Sequence, residues 1–275
     1  MKFFTLLILF LCFELFGCNG DKNKNHPPVQ PNSEKSITRF DSTYKTIHIL
    51  VALCDNKYQG IVPVPAKIGN GQDSDNNLYW GCKFGVRSYF KNSKEWRFIK
   101  AQKIDKIKHE RIIFKHVSQK YFFVADAYDG QYIKQCIDDF LSSSCGKLKD
   151  TIQIDNITLG ISGNSELVGY IGHNGLMDFQ LYEEYKNTDN KKRDVVILAC
   201  FSKLYFSHYL ENANVNPLVW STGLMSPEAY TILNAITGYI NGETNENIRQ
   251  RAATSYSNYQ KCSKKAAMNL LVTGW

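Results

Sequence analysis

A series of short apolar runs recurs along the chain and predicts β-strands. The first run, residues 44–54 (YKTIHILVALC), is strongly apolar, and a loop rich in Gly, Pro, Asn and Asp follows it. The runs at 96–104 and 110–117 are close enough in sequence to form a hairpin. Further predicted strands cover 120–128, 166–171, 194–200 and 217–223.

Amphipathic segments lie between these strands and predict helices. In residues 77–90 the apolar positions recur at the spacing of one helix face. Ser226 and Pro227 mark the start of a helix over 226–242, because serine caps helices and proline favours the first turn. Other predicted helices cover 130–143, 202–213 and 246–272.

The alternation of strands and helices predicts the fold class. This order is typical of α/β proteins, in which helices cover both faces of a mostly parallel sheet. We therefore expect a three-layer α/β/α sandwich. The sequence shows no internal repeat and no domain-sized linker after residue 40, so a single domain with a helical C-terminal segment is predicted over 41–275.

Composition and charge narrow the class of protein. The chain has 275 residues, of which 43% are hydrophobic, so it can bury a sizeable core. Charged residues make up 21%, which argues against wholesale disorder. The formal charge is +7, but the lysines are scattered rather than clustered, so the pattern does not indicate nucleic-acid binding.

The N-terminal residues resemble a secretion signal. A lysine precedes an apolar stretch that is short for a transmembrane helix, so residues 1–17 are predicted to be a signal peptide. The sequence LFGC ending at Cys18 resembles a bacterial lipobox, in which cleavage before the cysteine leaves a lipidated N terminus. Residues 18–40 are then a lipidated, flexible tether at the cell envelope, on the periplasmic or outer-membrane surface. The alternative is an ordinary signal peptide with a chance cysteine.

The remaining cysteines do not form a recognisable metal motif. No CxxC pair is present, and no histidine lies at a spacing typical of zinc sites. Cys136 and Cys145 are close enough in sequence to pair, which the sequence does not decide. The acidic run at 73–77 lacks the spacing of an EF-hand calcium loop. We therefore predict no metal.

Reactive or polar side chains follow three of the predicted strands. Asp55 follows the first strand, His173 follows 166–171, and Cys200 ends 194–200. Because the carboxyl ends of neighbouring parallel strands share one edge of a sheet, these side chains are expected to meet in a groove. A histidine beside a cysteine activates the thiol as a nucleophile. The alternatives are a buried core thiol, a structural histidine and a turn-forming aspartate.

Glycines flank the histidine. Gly172 and Gly175 allow the backbone to turn sharply or to approach a substrate closely. A backbone N–H beside His173 and the N–H of Cys200 would together fit an oxyanion hole, which stabilises the negative charge of a tetrahedral intermediate.

Two motifs resemble the signature of the caspase-like cysteine peptidases. They are YIGHNG at 170–175 and VVILAC at 195–200, each an apolar strand that ends in a reactive residue. This family includes caspases, legumain, gingipains, clostripain and separase. The resemblance implies a caspase/haemoglobinase-like α/β/α sandwich and peptide-bond cleavage without a cofactor. It also implies that His173 is the catalytic histidine and Cys200 the nucleophile.

The resemblance implies roles for further residues. Family members usually have glycine directly after the histidine, and because Asn174 stands there, the oxyanion donor that accompanies Cys200 is Asn174 or Gly175. The strand after the nucleophile lines the family's cleft, so Trp220 and Ser221 would line it and pair with the substrate backbone. Asp55 matches the region of the specificity residues, where an acidic side chain would favour a basic P1 residue.

The first functional hypothesis is therefore a lipid-anchored bacterial cysteine endopeptidase with a His173/Cys200 dyad. The alternative is a catalytically inactive lipoprotein of the same fold that acts as a binding or scaffold protein. A third hypothesis is a cysteine-dependent acyltransferase or amidase. The expected partners are a peptide or protein substrate and a membrane reached through the lipid anchor. The sequence does not specify the oligomeric state.

Overall fold

The computed structural model describes residues 39–275. The predicted signal peptide at 1–17, the predicted lipidation of Cys18 and nearly all of the predicted tether at 18–40 lie outside the described residues. Within the described part of the chain, no helix combines the length and the apolar character needed to cross a membrane.

An eight-stranded mixed sheet forms the centre of the domain. In spatial order from one edge, its strands are β10 (Leu271–Val272), β9 (Val215–Ser221), β8 (Arg193–Leu198), β7 (Leu167–Ile171), β1 (Lys45–Ala52), β4 (Tyr121–Tyr128), β3 (Lys108–His116) and β2 (Trp96–Lys103). The strands from β9 to β4 pair in parallel, whereas β10, β3 and β2 pair with their neighbours in antiparallel fashion. The predicted hairpin of β2 and β3 is confirmed.

Helices cover both faces of this sheet. They are α1 (Val86–Lys91), α2 (Ile133–Ser144), α3 (Ser202–Leu210), α4 (Ala229–Ile240), α5 (Asn245–Gln260) and α6 (Lys264–Leu270). One hydrophobic core includes α1, α4, α5 and α6, and a second includes α2 and α3. Strand β1 separates the two, because Ile49 and Val51 belong to the first core and Leu50 and Ala52 to the second. The architecture is an α/β sandwich with a mostly parallel sheet, as predicted at this level.

The order of the parallel strands creates a crevice. Both β7 and β8 are buried on their two faces, which explains their continuous apolar sequences. The chain adds β4 on one side of β1 and then β7, β8 and β9 on the other. The connections therefore reverse direction between β1 and β7, and in open α/β sheets such a reversal opens a crevice at the carboxyl ends of the strands.

The prediction of a helix over 77–90 is wrong for the first half of that range. Residues 77–84 form successive turns, and α1 begins only at Val86. Asn77 is fully buried, and its side chain accepts the N–H of Cys54 and donates to the Cys54 carbonyl. These bonds fix the segment to the end of β1. Gly81 packs so closely against the Asp75 carbonyl that a side chain there would clash, so the turn requires glycine.

The helix predicted over 226–242 starts later than expected. Glu228, rather than Ser226, is the residue that precedes the first turn of α4, and Glu228 itself is extended. The Ser226 N–H donates to the Tyr256 hydroxyl at 3.2 Å, which ties this segment to α5. The helix predicted over 246–272 is divided, because Lys261 adopts a left-handed conformation and ends α5.

A two-stranded sheet, β5 (Lys149–Ile154) and β6 (Ile157–Ser162), packs beside the main sheet. It contacts a buried ionic cluster. The Ser162 N–H donates to Nδ1 of His48 at 3.0 Å, and Nε2 of His48 lies 3.2 Å from the Asp126 carboxylate. Arg111 donates to both oxygens of that carboxylate at 2.6 and 2.7 Å. This cluster links the two-stranded sheet of β5 and β6 to β1, β3 and β4.

Candidate active site

A pocket of about 390 Å³ lies at the carboxyl ends of the parallel strands, and both His173 and Cys200 line it. Its walls come from the chain after β1, the turn after β7, the end of β8 and the segment between β9 and α4. Two larger grooves, of about 550 and 630 Å³, lie elsewhere and are lined mainly by polar side chains. Neither groove includes His173 or Cys200. The fold thus brings the two strand-end residues into one pocket.

Cys200 lies in the sharp connection between β8 and α3. The next residue, Phe201, has a left-handed φ of 49°, and α3 begins at Ser202. Such a conformation is strained for a residue with a side chain and is concentrated at functional sites. The Met225 N–H lies 3.4 Å from the Cys200 sulfur, and the side chain is partly exposed. Cys200 therefore lies at the N-terminal end of α3, where its sulfur is held beside Met225.

The His173 side chain is held by a carboxylate that the sequence analysis missed. His173 is 8% exposed, and its Nε2 lies 2.7 Å from Oδ2 of Asp178. A short 3₁₀ turn at Gly175–Met177 folds the chain back and brings Asp178 to the ring. Asp178 also accepts the N–H of Gly60 at 3.1 Å. The only sequence signal was an aspartate five residues after the histidine, which has no meaning without this turn.

Asn174 connects the histidine turn to the cysteine turn. It is fully buried, and its Nδ2 donates to the Cys200 carbonyl at 2.7 Å. Its Oδ1 accepts the N–H of Leu176 at 3.1 Å. The Gly175 N–H donates to the His173 carbonyl at 3.1 Å. Of the two predicted oxyanion donors beside the histidine, only the Asn174 backbone N–H has no hydrogen-bond partner within residues 39–275, and the Cys200 N–H has none there either.

Asp55 lies outside the pocket. It is 1% exposed, and its Oδ1 accepts the N–H groups of Lys57 and Tyr58 at 2.8 and 3.2 Å. Its Oδ2 accepts Nε2 of Gln72 at 2.8 Å. Both oxygens are therefore bonded within the loop after β1, and Asp55 does not line the cavity that contains Cys200. The predicted contact with a P1 side chain has no geometric basis here, because the carboxylate stabilises its own loop.

Trp220 and Ser221 also lie outside the pocket. Both are fully buried in β9, and their strand edge pairs with Val272 and Leu271 of β10. The Trp220 indole N–H donates to the Gly274 carbonyl at 3.0 Å. The edge that was expected to pair with the substrate backbone is therefore occupied by the C-terminal segment of the same chain.

The other thiols differ from Cys200 in their surroundings. All cysteines within residues 39–275 are free thiols, so Cys136 and Cys145 are not bonded. Burial raises the pKa of Cys54 to about 11 and raises the pKa of Cys136 well above its usual value. Both are core residues that stay protonated and unreactive at neutral pH. Cys200, in contrast, is partly exposed in the pocket.

The acidic run at 73–77 forms a turn. Asp73 accepts the N–H groups of Asp75 and Asn76 at 3.1 and 3.2 Å. Among the described residues, no group of three or more His, Cys, Asp or Glu side chains is arranged to hold a metal ion.

We compared the chain with known proteins. No protein-family model, no curated protein and no solved structure matches it. We therefore base the functional proposal on the geometry of the pocket that contains His173 and Cys200.

Proposed function

We propose that the protein is a caspase-like cysteine endopeptidase in which Cys200 is the nucleophile and His173 the general acid and base. One observation carries the proposal: His173 and Cys200 line the same pocket, and the imidazole is oriented by Asp178 at 2.7 Å. A nucleophile, a base and a group that orients the base form the arrangement that activates thiols and hydroxyls in many unrelated hydrolases.

The ring nitrogens of His173 have separate roles in this mechanism. Nε2–H donates a hydrogen bond to the Asp178 carboxylate and keeps its proton, which leaves Nδ1 to accept the proton of the Cys200 thiol. The sulfur attacks the scissile carbonyl carbon, and a C–S bond forms. As the C–N bond breaks, Nδ1 returns the proton to the leaving amine. Water then attacks the thioester with the help of Nδ1 and releases the acid product and the thiol.

Two backbone groups are available for the oxyanion. The N–H groups of Asn174 and Cys200 have no hydrogen-bond partner among the described residues. The bond from Asn174 Nδ2 to the Cys200 carbonyl holds the two turns together, so both N–H groups keep a fixed relation. Donors that are held in place before the reaction stabilise the developing charge without reorganisation.

The substrate backbone is proposed to bind along the segment between β9 and α4. Leu224 is 70% exposed and lines the pocket, and Met225 contacts the nucleophile sulfur. The N–H groups of Gly223 and Leu224 have no partner within residues 39–275 and are free to pair with a peptide. This segment replaces Trp220 and Ser221 in the proposed role.

Thiol labelling combined with a peptide-cleavage screen tests the enzyme proposal. Iodoacetamide at neutral pH should modify Cys200 faster than Cys262, which is also partly exposed but lies outside the pocket. Wild-type protein should cleave members of a peptide library, and Cys200→Ala and His173→Ala should not, whereas Cys262→Ala should retain activity. If Cys200→Ala cleaves as well as wild type, or if no peptide is cleaved, the peptidase proposal fails and a binding protein is the better description.

The proposed location rests on the N-terminal sequence. We propose that cleavage before Cys18 and lipidation of that cysteine attach the enzyme to the cell envelope. Cys18→Ala should move the full-length protein from the membrane fraction to the soluble fraction and abolish incorporation of labelled fatty acid. Unchanged membrane association and labelling would overturn the anchor.

A further inference from the structure

One carboxylate lines the pocket beside the nucleophile. Glu228 is the single acidic side chain among the described residues that form the walls, and it is half-buried. It lies three residues after Met225, whose N–H contacts the Cys200 sulfur at 3.4 Å. Three residues of extended chain span at most about 10 Å. Glu228 therefore lies within the reach of one long side chain of a substrate held at Cys200.

The two oxygens of this carboxylate differ in their bonds. Oε2 accepts the Tyr230 hydroxyl at 2.9 Å and the Gln260 amide at 3.1 Å. Oε1 has no hydrogen-bond donor within residues 39–275, and Glu228 takes part in no ion pair there. Oε1 is not among the buried side-chain atoms that lack a partner within residues 39–275, so it is open to solvent. This oxygen is therefore able to accept a hydrogen bond from a ligand that enters the pocket.

The walls around the carboxylate are mostly apolar. Hydrophobic side chains from the chain after β1 and from the segment before α4 line the same cavity, among them Ile61, Val64, Leu78, Tyr79 and Met225. A largely apolar cavity with a single carboxylate suits a side chain that has a hydrocarbon stem and a cationic tip. A purely aliphatic side chain would leave Oε1 unpaired and desolvated.

We propose that Glu228 is the specificity residue of the peptidase and that it selects lysine at P1. This inference rests on the proposed function, because P1 is defined by cleavage at Cys200. The lysine stem contacts the apolar walls, and its ammonium group donates to Oε1 of Glu228. Lysine is favoured over arginine because guanidinium pairs best with both oxygens of a carboxylate, and Oε2 is already occupied by Tyr230 and Gln260.

Peptides that differ only at P1 test the inference. The series carries lysine, arginine, norleucine, which has a similar stem without the charge, and glutamate. Wild-type enzyme should cleave the lysine peptide with a kcat/KM about 10- to 100-fold above that of norleucine, and glutamate should be the poorest substrate. Glu228→Gln should remove the advantage of lysine while leaving norleucine within about threefold of wild type. The control is Glu211→Gln, which alters an exposed carboxylate outside the cavity lining. This variant should leave the kcat/KM of every peptide in the series unchanged.

The outcomes separate the inference from the proposed function. The role of Glu228 is overturned if wild type cleaves the norleucine peptide with the same kcat/KM as the lysine peptide. It is also overturned if Glu228→Gln lowers kcat/KM equally for both peptides while its melting temperature is unchanged. In either case the peptidase proposal stands. If arginine is preferred over lysine, the geometric argument about Oε2 is overturned. If wild type cleaves none of the series or of the wider library, the peptidase itself is overturned, and the P1 inference with it.

Discussion

Nε2 of His173 lies 2.7 Å from Oδ2 of Asp178, a residue that reaches the ring through a single 3₁₀ turn. This pair occupies Nε2 of His173 and leaves Nδ1 for the proposed contact with the Cys200 thiol. It also connects the histidine turn to the loop after β1, because Asp178 accepts the Gly60 N–H at 3.1 Å. The proposed dyad would therefore depend on Asp178 as a positioning residue.

Asp178→Asn should impair catalysis more than binding. The asparagine keeps the size of the side chain and can still accept from Gly60 and from Nε2, but it lacks the negative charge that stabilises the protonated ring formed when His173 takes the thiol proton. We expect kcat to fall by about 10- to 100-fold with KM nearly unchanged, and the rate of Cys200 alkylation to fall in parallel. Glu184→Gln, which alters an exposed carboxylate, is the control. A change confined to KM, or to the melting temperature, would contradict the positioning role.

Asn174→Gly should distinguish the role of the Asn174 side chain from the role of its backbone N–H. Glycine keeps the oxyanion donor but removes the bond to the Cys200 carbonyl. Because a buried acceptor is left without its donor, we expect the free energy of unfolding to fall by about 1–3 kcal/mol, measured by urea denaturation. The kcat should fall as well, because the two turns lose their connection. Full activity at reduced stability would show that Asn174 has only a structural role.

Asp126→Asn should destabilise the fold and flatten its acid response. Burial alone would raise the pKa of Asp126, but bonds and charge from Arg111 and His48 lower it well below its usual range. The stabilisation is therefore present above the unfolded pKa of about 3.9 and is lost as pH falls through the folded value. Breaking this buried pair should cost about 3–5 kcal/mol at neutral pH.

Urea unfolding of Asp126→Asn at several pH values measures both effects. The control is Asp155→Asn, which changes an exposed aspartate in the turn between β5 and β6. Asp155→Asn should be close to neutral. An Asp126→Asn protein as stable as wild type at pH 7 would contradict the assigned importance of the cluster.

Cleavage after lysine should be lost on acidification before cleavage after norleucine. Burial raises the pKa of Glu228 above its usual value, and bonds to Tyr230 and Gln260 offset only part of this rise. As pH falls, Glu228 is neutralised earlier than an ordinary glutamate, and the lysine ammonium loses its partner. The other titratable side chains facing this carboxylate are Tyr79, Cys82, Tyr230 and Tyr256. Burial raises the pKa of each, so all stay neutral below about pH 8.

The measurement is the ratio of kcat/KM for the two peptides between neutral and mildly acidic pH. The ratio cancels the titration of the dyad, because His173 and Cys200 act on both substrates. Wild type should show a ratio that declines with acid, and Glu228→Gln a flat ratio near one. A ratio that is independent of pH in the wild type would contradict a charged contact at Glu228.

The sequence alone determined the type and order of the central elements. The apolar runs of β7 and β8 predicted strands because strands buried on both faces need apolar residues throughout. Their order, with His173 ending one and Cys200 following the other, predicted a shared groove because parallel strands place their carboxyl ends at one edge. These inferences use only local burial and chain direction, which a single sequence records.

Tertiary structure decided which side chains complete the site. Asp178 reaches His173 through a turn, Glu228 enters the pocket because α4 starts after it, and β10 covers Trp220 in β9. Each of these contacts depends on packing between two segments that are distant in sequence. The helix expected at 77–84 fails for the same reason, since the amphipathic spacing is overridden by the buried bonds of Asn77 to Cys54. The local hydrophobic pattern determines which side chains are buried. Which side chains they contact is determined by packing between segments that lie far apart in sequence.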